Sequence, residues 1–174
     1  LIRCLPENSV AILNEDDPYV KAMDSLAKGK TITYGIERNA TCIGSHLRYK
    51  KDGIKFTCKC YDEVFDIFLP MIGEHNVYDA LAAIVAGRVL GIKSNTIRKG
   101  LSEFTGTPMR QEIVPFEDIV ILNDAYNANP SSMAEAIKAL GQLEGKRKIA
   151  MLGDMLELGD YTEQAHREIG QLLA

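Results

Sequence analysis

The sequence predicts an α/β chain: an antiparallel β layer with helices packed on it, followed by a strand–helix–strand unit. Three observations lead there. β-branched and aromatic residues concentrate between positions 31 and 69, helix-spaced apolar residues fill 75–104, and short apolar runs at 119–122 and 149–152 bracket a helical segment.

Taken in order, residues 9–13 (Ser-Val-Ala-Ile-Leu) read as a buried strand. In the polar turn that follows, Asp17 suits a helix N-cap and Pro18 the first helical position. Val20, Met23, Leu26 and Ala27 then recur at helical spacing until Gly29. Residues 31–34, 41–49, 54–60 and 64–69 read as the antiparallel layer, with Lys51-Asp52-Gly53 as a hairpin signal. Glu74-His75-Asn76 leads into an apolar helix to about Leu90, where alanines at 80, 82, 83 and 86 suggest close packing. A second helix over 95–104 places Ile97, Leu101 and Phe104 on one side. Residues 105–108 (Thr-Gly-Thr-Pro) form the best boundary in the chain.

Beyond it, 119–122 reads as a buried parallel strand. Asn129 caps a helix with Pro130 at its start and Met133, Ala136, Ile137 and Leu140 on its buried face. Residues 149–152 read as a second buried strand, and Thr162 as the cap of a last helix. This is a βαβ unit that looks truncated.

With 174 residues, 46% hydrophobic, 25% charged and a net charge of −4, the composition is that of a globular protein and excludes disordered, collagen-like and coiled-coil chains. No apolar stretch reaches the roughly 18 residues of a membrane span. The mild acidity and the absence of Trp argue against nucleic acid and anionic membranes as partners. The start lacks both a signal-peptide core and an initiator Met, so a piece of a longer chain is expected. Cys4, Cys42, Cys58 and Cys60 form no C-x-x-C pair, and buried reduced thiols of a cytoplasmic protein are the expected reading.

Ligands of open parallel sheets bind outside the carboxyl ends of the strands. Here those ends carry Asn14 and Asp16-Asp17, the run Asn123-Asp124-Ala125-Tyr126-Asn127-Ala128-Asn129, and Gly153-Asp154-Met155. Carboxylates such as Asp124 and Asp154 could hold ribose hydroxyls, an ammonium group or a metal. Asp17 and Asn129 read as helix caps. Asn76 and Asp79 share one face of a helix start and could meet a purine edge, although spacing alone equally describes an ordinary capped start. His75 alone reads as capping or packing. Lys146-Arg147-Lys148 reads as a solvated loop and His166 as part of an exposed polar face. No G-x-x-x-x-G-K-[ST] loop, H-E-x-x-H or G-x-S-x-G occurs in the chain.

Three blocks resemble the Mur ligases: Gly-x-His-Asn-x-x-x-Ala-Leu-Ala-Ala (73–83), Asn-Asp-Ala-Tyr-Asn-Ala-Asn-Pro-Ser-Ser-Met (123–133) and Leu-Gly-Asp-Met-Leu-Glu-Leu-Gly (152–159). The run Asn-x-Asp-Asp-Pro-Tyr (14–19) and His166-x-x-x-Gly170 agree in order and spacing. The second and third blocks resemble the branch that adds D-Ala-D-Ala to UDP-N-acetylmuramoyl-tripeptide. The resemblance implies a cytoplasmic, monomeric ATP- and Mg²⁺-dependent ligase of peptidoglycan synthesis, working through an acyl phosphate that the dipeptide amine attacks. It implies that residues 1–107 are the second half of the central ATP-binding domain, and 108–174 the first part of a Rossmann-like C-terminal domain.

Carried over by position, the resemblance places Asn76 and Asp79 near adenine, Arg110 near the nucleotide and Asp124 on the ribose. His75, Tyr126, Asn127 and Asn129 would border the substrate or interdomain cleft, and Asp154 would lie towards the amino substrate. The family's phosphate loop, Mg²⁺-binding glutamate and carbamylated lysine would precede Leu1. No catalytic or metal residue is therefore assigned here, and the isolated 174-residue chain is expected to be inactive. Two positions depart from the family: Asp79 stands where Asn is usual, and Met109 where Gly is usual. Folylpolyglutamate or cyanophycin synthetases, and a non-catalytic nucleotide-binding module, are the alternatives.

Overall fold

A computed structural model describes residues 1–50 and 52–173. The chain divides into two compact units, one of Leu1–Pro70 with Glu74–Phe104, the other of Met71–Gly73 with the residues from Thr105 onward.

The first unit is built on a five-stranded sheet in the order β1-β2-β3-β4-β5, comprising Val10–Asn14, Lys30–Gly35, Cys42–Lys50, Gly53–Cys60 and Glu63–Leu69. β3, β4 and β5 form the expected antiparallel meander, but β2 runs parallel to both β1 and β3. The sheet is therefore mixed rather than antiparallel throughout. Parallel neighbours ordinarily need a connection of about a dozen residues to return along a strand. β2 and β3 overlap only at Tyr34↔Cys42 and Gly35↔Ile43, so the short loop between them suffices.

Of the hairpin signal between β3 and β4, Lys51 lies outside the described residues. Gly53 opens β4 at φ +148°, and a Cβ there would stand 2.2 Å from the Leu69 carbonyl oxygen, so no other residue fits. A bulge between Ser45 and Arg48 breaks the β3–β4 register and holds His46 at φ +54°.

Asp17 caps α1 (Pro18–Ala22), its side chain accepting from the Tyr19 and Val20 N–H groups, and a 3₁₀ turn follows at Met23–Leu26. α2 (His75–Val89) buries Val77, Ala80, Leu81, Ile84 and Val85 at helical spacing, against a core that includes Leu13, Ile32, Ile54, Phe56 and Ile67. Of the alanines expected to pack closely, only Ala80 is buried. The close approach comes instead from glycines: a Cβ at Gly44 would meet Leu81 at 3.2 Å, and one at Gly87 would meet Ile97 at 2.9 Å. α3 (Ser94–Ser102) buries only Ile97; Leu101 is half-buried and Phe104 lies exposed beyond the helix. Cys42, Cys58 and Cys60 are buried free thiols, with the Cys42 and Cys58 sulfurs 3.5 Å apart, whereas Cys4 is exposed.

The second unit differs from the expected βαβ arrangement. Residues 119–122 lie in β7 (Ile119–Asn123), which pairs antiparallel with an unanticipated β6 (Glu112–Phe116) through a two-residue turn. Ile119, Val120 and Ile121 are exposed, and residues 149–152 form no strand. A parallel strand is buried only when helices cover both its faces and neighbours pair with both its edges; among the described residues β6 is the sole partner of β7. The core of this unit is small: Met133 of α4 (Pro130–Gln142), Met155, and Ala165 and Ile169 of α5 (Thr162–Leu172), flanked by Ala128, Ala134, Ile137 and Leu158. Ala136 and Leu140 are only half-buried. Thr162 is the first residue of α5 rather than its cap, and its hydroxyl donates to the Gly159 carbonyl at 2.7 Å. Among the described residues no helix is long and apolar enough to cross a membrane.

Candidate functional site

Each unit gathers its own cluster of the residues singled out by sequence. In the first, the carboxyl end of β1 and the start of α2 come together. Asn14 accepts the Asp16 N–H at 3.0 Å, which turns the chain out of β1. The Asp16 carboxylate then accepts three consecutive backbone N–H groups, from Ile36 (2.6 Å), Glu37 (3.0 Å) and Arg38 (2.8 Å), and the Tyr78 hydroxyl at 3.0 Å. Burial opposes ionisation of Asp16, but these four donors outweigh it and hold its carboxyl below the ordinary aspartate value. Burial, then the adjacent Asp16 charge, push the Tyr78 hydroxyl up. Asn14, Asp16 and Asp17 are thus engaged in local structure, which leaves their neighbours as the candidates at this strand end.

Those neighbours are His75, Asn76 and Asp79, all in the first turns of α2. The Asn76 amide donates to His75 Nε2 at 3.0 Å, while Asp79 is exposed. Tyr34 of β2 is pushed up first by burial, then by the charges of Asp79 and Asp17, so its hydroxyl remains a neutral donor beside them. Tyr49 donates to Glu74 at 2.8 Å, and burial with this contact pushes it up to about 12.

In the second unit the candidates converge on residues 109–112 and the end of β7. The Arg110 guanidinium stacks 4.0 Å from the centre of the Tyr126 ring. Asp124 accepts the Gln111 N–H at 3.1 Å, and the Glu112 carboxylate accepts from both the Met109 N–H and the Asn123 amide at 3.1 Å. The Tyr126 N–H closes the ring onto the Met109 carbonyl. Met109 and Gln111 hold φ +59° and +49°, the left-handed region where glycine is favoured. Asn127 accepts the Ala128 N–H, and Asn129 forms a capping box with Ser132, so its side chain belongs to the helix start.

Asp154 is exposed at the start of a loop that His166 fastens. The His166 Nδ1 donates to the Thr162 carbonyl at 2.8 Å, leaving Nε2 to accept the Met155 N–H at 3.1 Å, with an Asp154 oxygen 3.9 Å away. His166 is therefore a loop anchor rather than part of a plain polar face.

Sequence reasoning missed Glu112, Gln111 and Tyr78. The pairing of Glu112 with Asn123 became legible only with β6, because Pro115 and the glycine-free Glu117-Asp118 turn disguise that hairpin. Among the described residues no group of three or more His, Cys, Asp or Glu side chains is placed to hold a metal ion.

Comparison with known proteins gives these clusters a context. The Mur ligase middle domain matches residues 1–87, and the Mur ligase glutamate ligase domain matches residues 109–174. The UDP-N-acetylmuramoyl-tripeptide–D-alanyl-D-alanine ligase of Bacillus subtilis (strain 168) is 39% identical over 176 residues, an alignment covering all of this chain and 37% of that enzyme. The crystal structure of MurF from Acinetobacter baumannii superimposes with a TM-score of 0.91 at 28% identity, over 99% of this chain and 38% of that one. The MurF ligase of Thermotoga maritima in complex with ADP shares the fold, with a TM-score of 0.87 at 24% identity, over 99% of this chain and 39% of that one. The chain thus spans little more than a third of the length of these relatives. With the middle-domain model matching half of its residues and the glutamate ligase model most of the remainder, the chain belongs to the Mur ligase family.

Proposed function

We propose that the chain is part of an ATP-dependent cytoplasmic ligase that joins D-Ala-D-Ala to UDP-N-acetylmuramoyl-tripeptide in peptidoglycan synthesis. The observation that supports this most is similarity to the Bacillus subtilis ligase along the whole chain, including the blocks at 123–133 and 152–159. In the proposed reaction the γ-phosphoryl group passes to the terminal carboxylate of the tripeptide and ADP leaves. The dipeptide amine attacks the acyl phosphate, and the tetrahedral intermediate expels phosphate as the amine sheds its proton. Mg²⁺ would neutralise phosphate charge during the transfer, and no residue of this chain is given that task.

Residues 1–107 are assigned to the central ATP-binding domain and 108–174 to the C-terminal domain. Asn76 and Asp79 would meet the adenine edge. Asp79 in the usual place of Asn offers acceptors only, which suits the exocyclic amino group and not a ring nitrogen. Arg110, braced by Tyr126, would approach the phosphates, and Asp124, oriented by the Gln111 N–H, would hold the ribose hydroxyls. His75, Tyr126, Asn127 and Asn129 would border the substrate cleft, and Asp154 would lie towards the amino substrate.

The test is ADP release by the complete gene product, given Mg-ATP and UDP-N-acetylmuramoyl-tripeptide. Release dependent on D-Ala-D-Ala is expected. Release dependent instead on meso-diaminopimelate, D-glutamate or a folate would place the protein elsewhere among these ligases.

A further inference from the structure

Away from the Asn76–Asp79 cluster, the first unit carries a groove of about 620 Å³ on the β3–β5 meander, and its lining is strongly basic. His46, Arg48, Lys50 and Lys55 reach it from β3 and β4, and Arg98 joins them from α3. The one carboxylate in the lining, Asp66, already accepts the Thr57 hydroxyl at 2.8 Å. This cationic concentration occurs in a chain whose net charge is −4.

The register makes the concentration costly. Arg48 stands directly opposite Lys55 across the β3–β4 ladder, and like charges in that relation repel. Among the described residues neither side chain has an acidic partner. The Ser45–Arg48 bulge, with His46 at φ +54°, shapes one wall. Arg98 is held in place by its Nε, which donates to the Asp66 carbonyl at 2.9 Å. Lys55 lies 5.9 Å from the centre of the Phe68 ring, which gives the groove an aromatic wall beside its cations. A repulsive pair braced by a bulge and a tethered arginine is the arrangement that a multiply charged anion would relieve, and guanidinium and ammonium groups together suit phosphate oxygens.

We propose that this groove is a binding site for a diphosphate-bearing small molecule, distinct from the nucleotide site proposed above, with its phosphates between Arg48, Lys50, Lys55 and Arg98. A soluble diphosphate and a lipid headgroup share this chemistry; the concave lining favours the soluble form.

The experiment is calorimetric titration of the 174-residue chain with inorganic pyrophosphate at constant ionic strength. Saturable binding is expected, weakened about tenfold or more by Arg48→Gln with Lys55→Gln, as loss of charge-assisted hydrogen bonds requires. Lys28→Gln with Lys146→Gln removes the same charge outside both the groove and the nucleotide cluster, and should leave binding unchanged. Because the first pair relieves a repulsion, its melting temperature without ligand should be unchanged or raised. In the unaltered chain, pyrophosphate should shift the NMR signals of the Arg48 and Lys55 side chains, a readout independent of any variant. Equal weakening by both pairs, absence of saturable binding, or shifts confined to other residues would overturn the site. Binding to phosphatidylglycerol vesicles that pyrophosphate does not displace would overturn it in favour of a lipid surface.

Discussion

The Asp16 carboxylate receives four donors at once, and its depressed pKa has a definite consequence for stability. A carboxyl ionised more readily in the folded than in the unfolded chain stabilises the fold above its unfolded value, 3.8 here, and that contribution disappears as pH falls through the lower folded value. Urea titrations between neutral pH and pH 3 should therefore show a loss of stability at the acid end that is smaller in Asp16→Asn. Gly35 lies against the same carboxylate: a Cβ would stand 2.9 Å and 3.0 Å from its two oxygens. Since three N–H groups pin Asp16, it cannot swing aside, and Gly35→Ala is expected to cost about 1–3 kcal/mol in denaturant melts. At Met109 the sign reverses. The left-handed conformation costs a non-glycine residue about 1–2 kcal/mol, against about 0.5–1 kcal/mol for the entropy of a glycine, so Met109→Gly should gain roughly 0.5–1 kcal/mol. For the proposed ribose contact, Asp124→Ala should raise the KM for ATP about tenfold, since a charged hydrogen bond contributes about 1.5 kcal/mol or more.

At the scale of elements, legibility followed the strength of the local signal. α4 could be read to the residue because Asn129 and Pro130 specify its start chemically, and the capping box with Ser132 confirms the mechanism. Asn129→Ala should lower stability by about 1 kcal/mol, measured as a shift in the denaturant midpoint. β2 was readable as a strand but not in direction, because its parallel pairing depends on a two-residue overlap that no local pattern encodes. The apolar runs at 119–122 and 149–152 depart from the expected burial for another reason: a continuous apolar segment reports the capacity for burial, whereas burial itself depends on what covers it. Of the candidate site, Asn76, Asp79, Arg110 and Asp124 are proposed on motif resemblance alone. The Tyr126 ring against Arg110 and the Gln111 N–H on Asp124 show how two of those side chains are held, and the Gln111 contact lay beyond what spacing could reveal.

For the whole molecule, the two units differ in how completely they bury their apolar residues. The first packs α2 on a five-stranded sheet with Leu81, Ile84, Ile54 and Phe56 at 2% exposure or less. The second leaves Ile119 60%, Ile149 64% and Met151 93% exposed. Residues 1–104 expressed alone should accordingly unfold in one cooperative urea transition, whereas residues 105–174 alone should bind a hydrophobic dye strongly. Fold class, family and the succession of the two matched regions follow from the sequence patterns and the comparisons together, while the ligase activity is the proposal made above for the complete gene product. Mass spectrometry of the nucleotide-sugar product made by that gene product from UDP-N-acetylmuramoyl-tripeptide, D-Ala-D-Ala and Mg-ATP addresses that activity most directly. A UDP-N-acetylmuramoyl-pentapeptide ending in D-Ala-D-Ala, formed with one ADP per peptide bond, is expected. Unaltered tripeptide, or extension only by a different amino acid, would contradict the assignment.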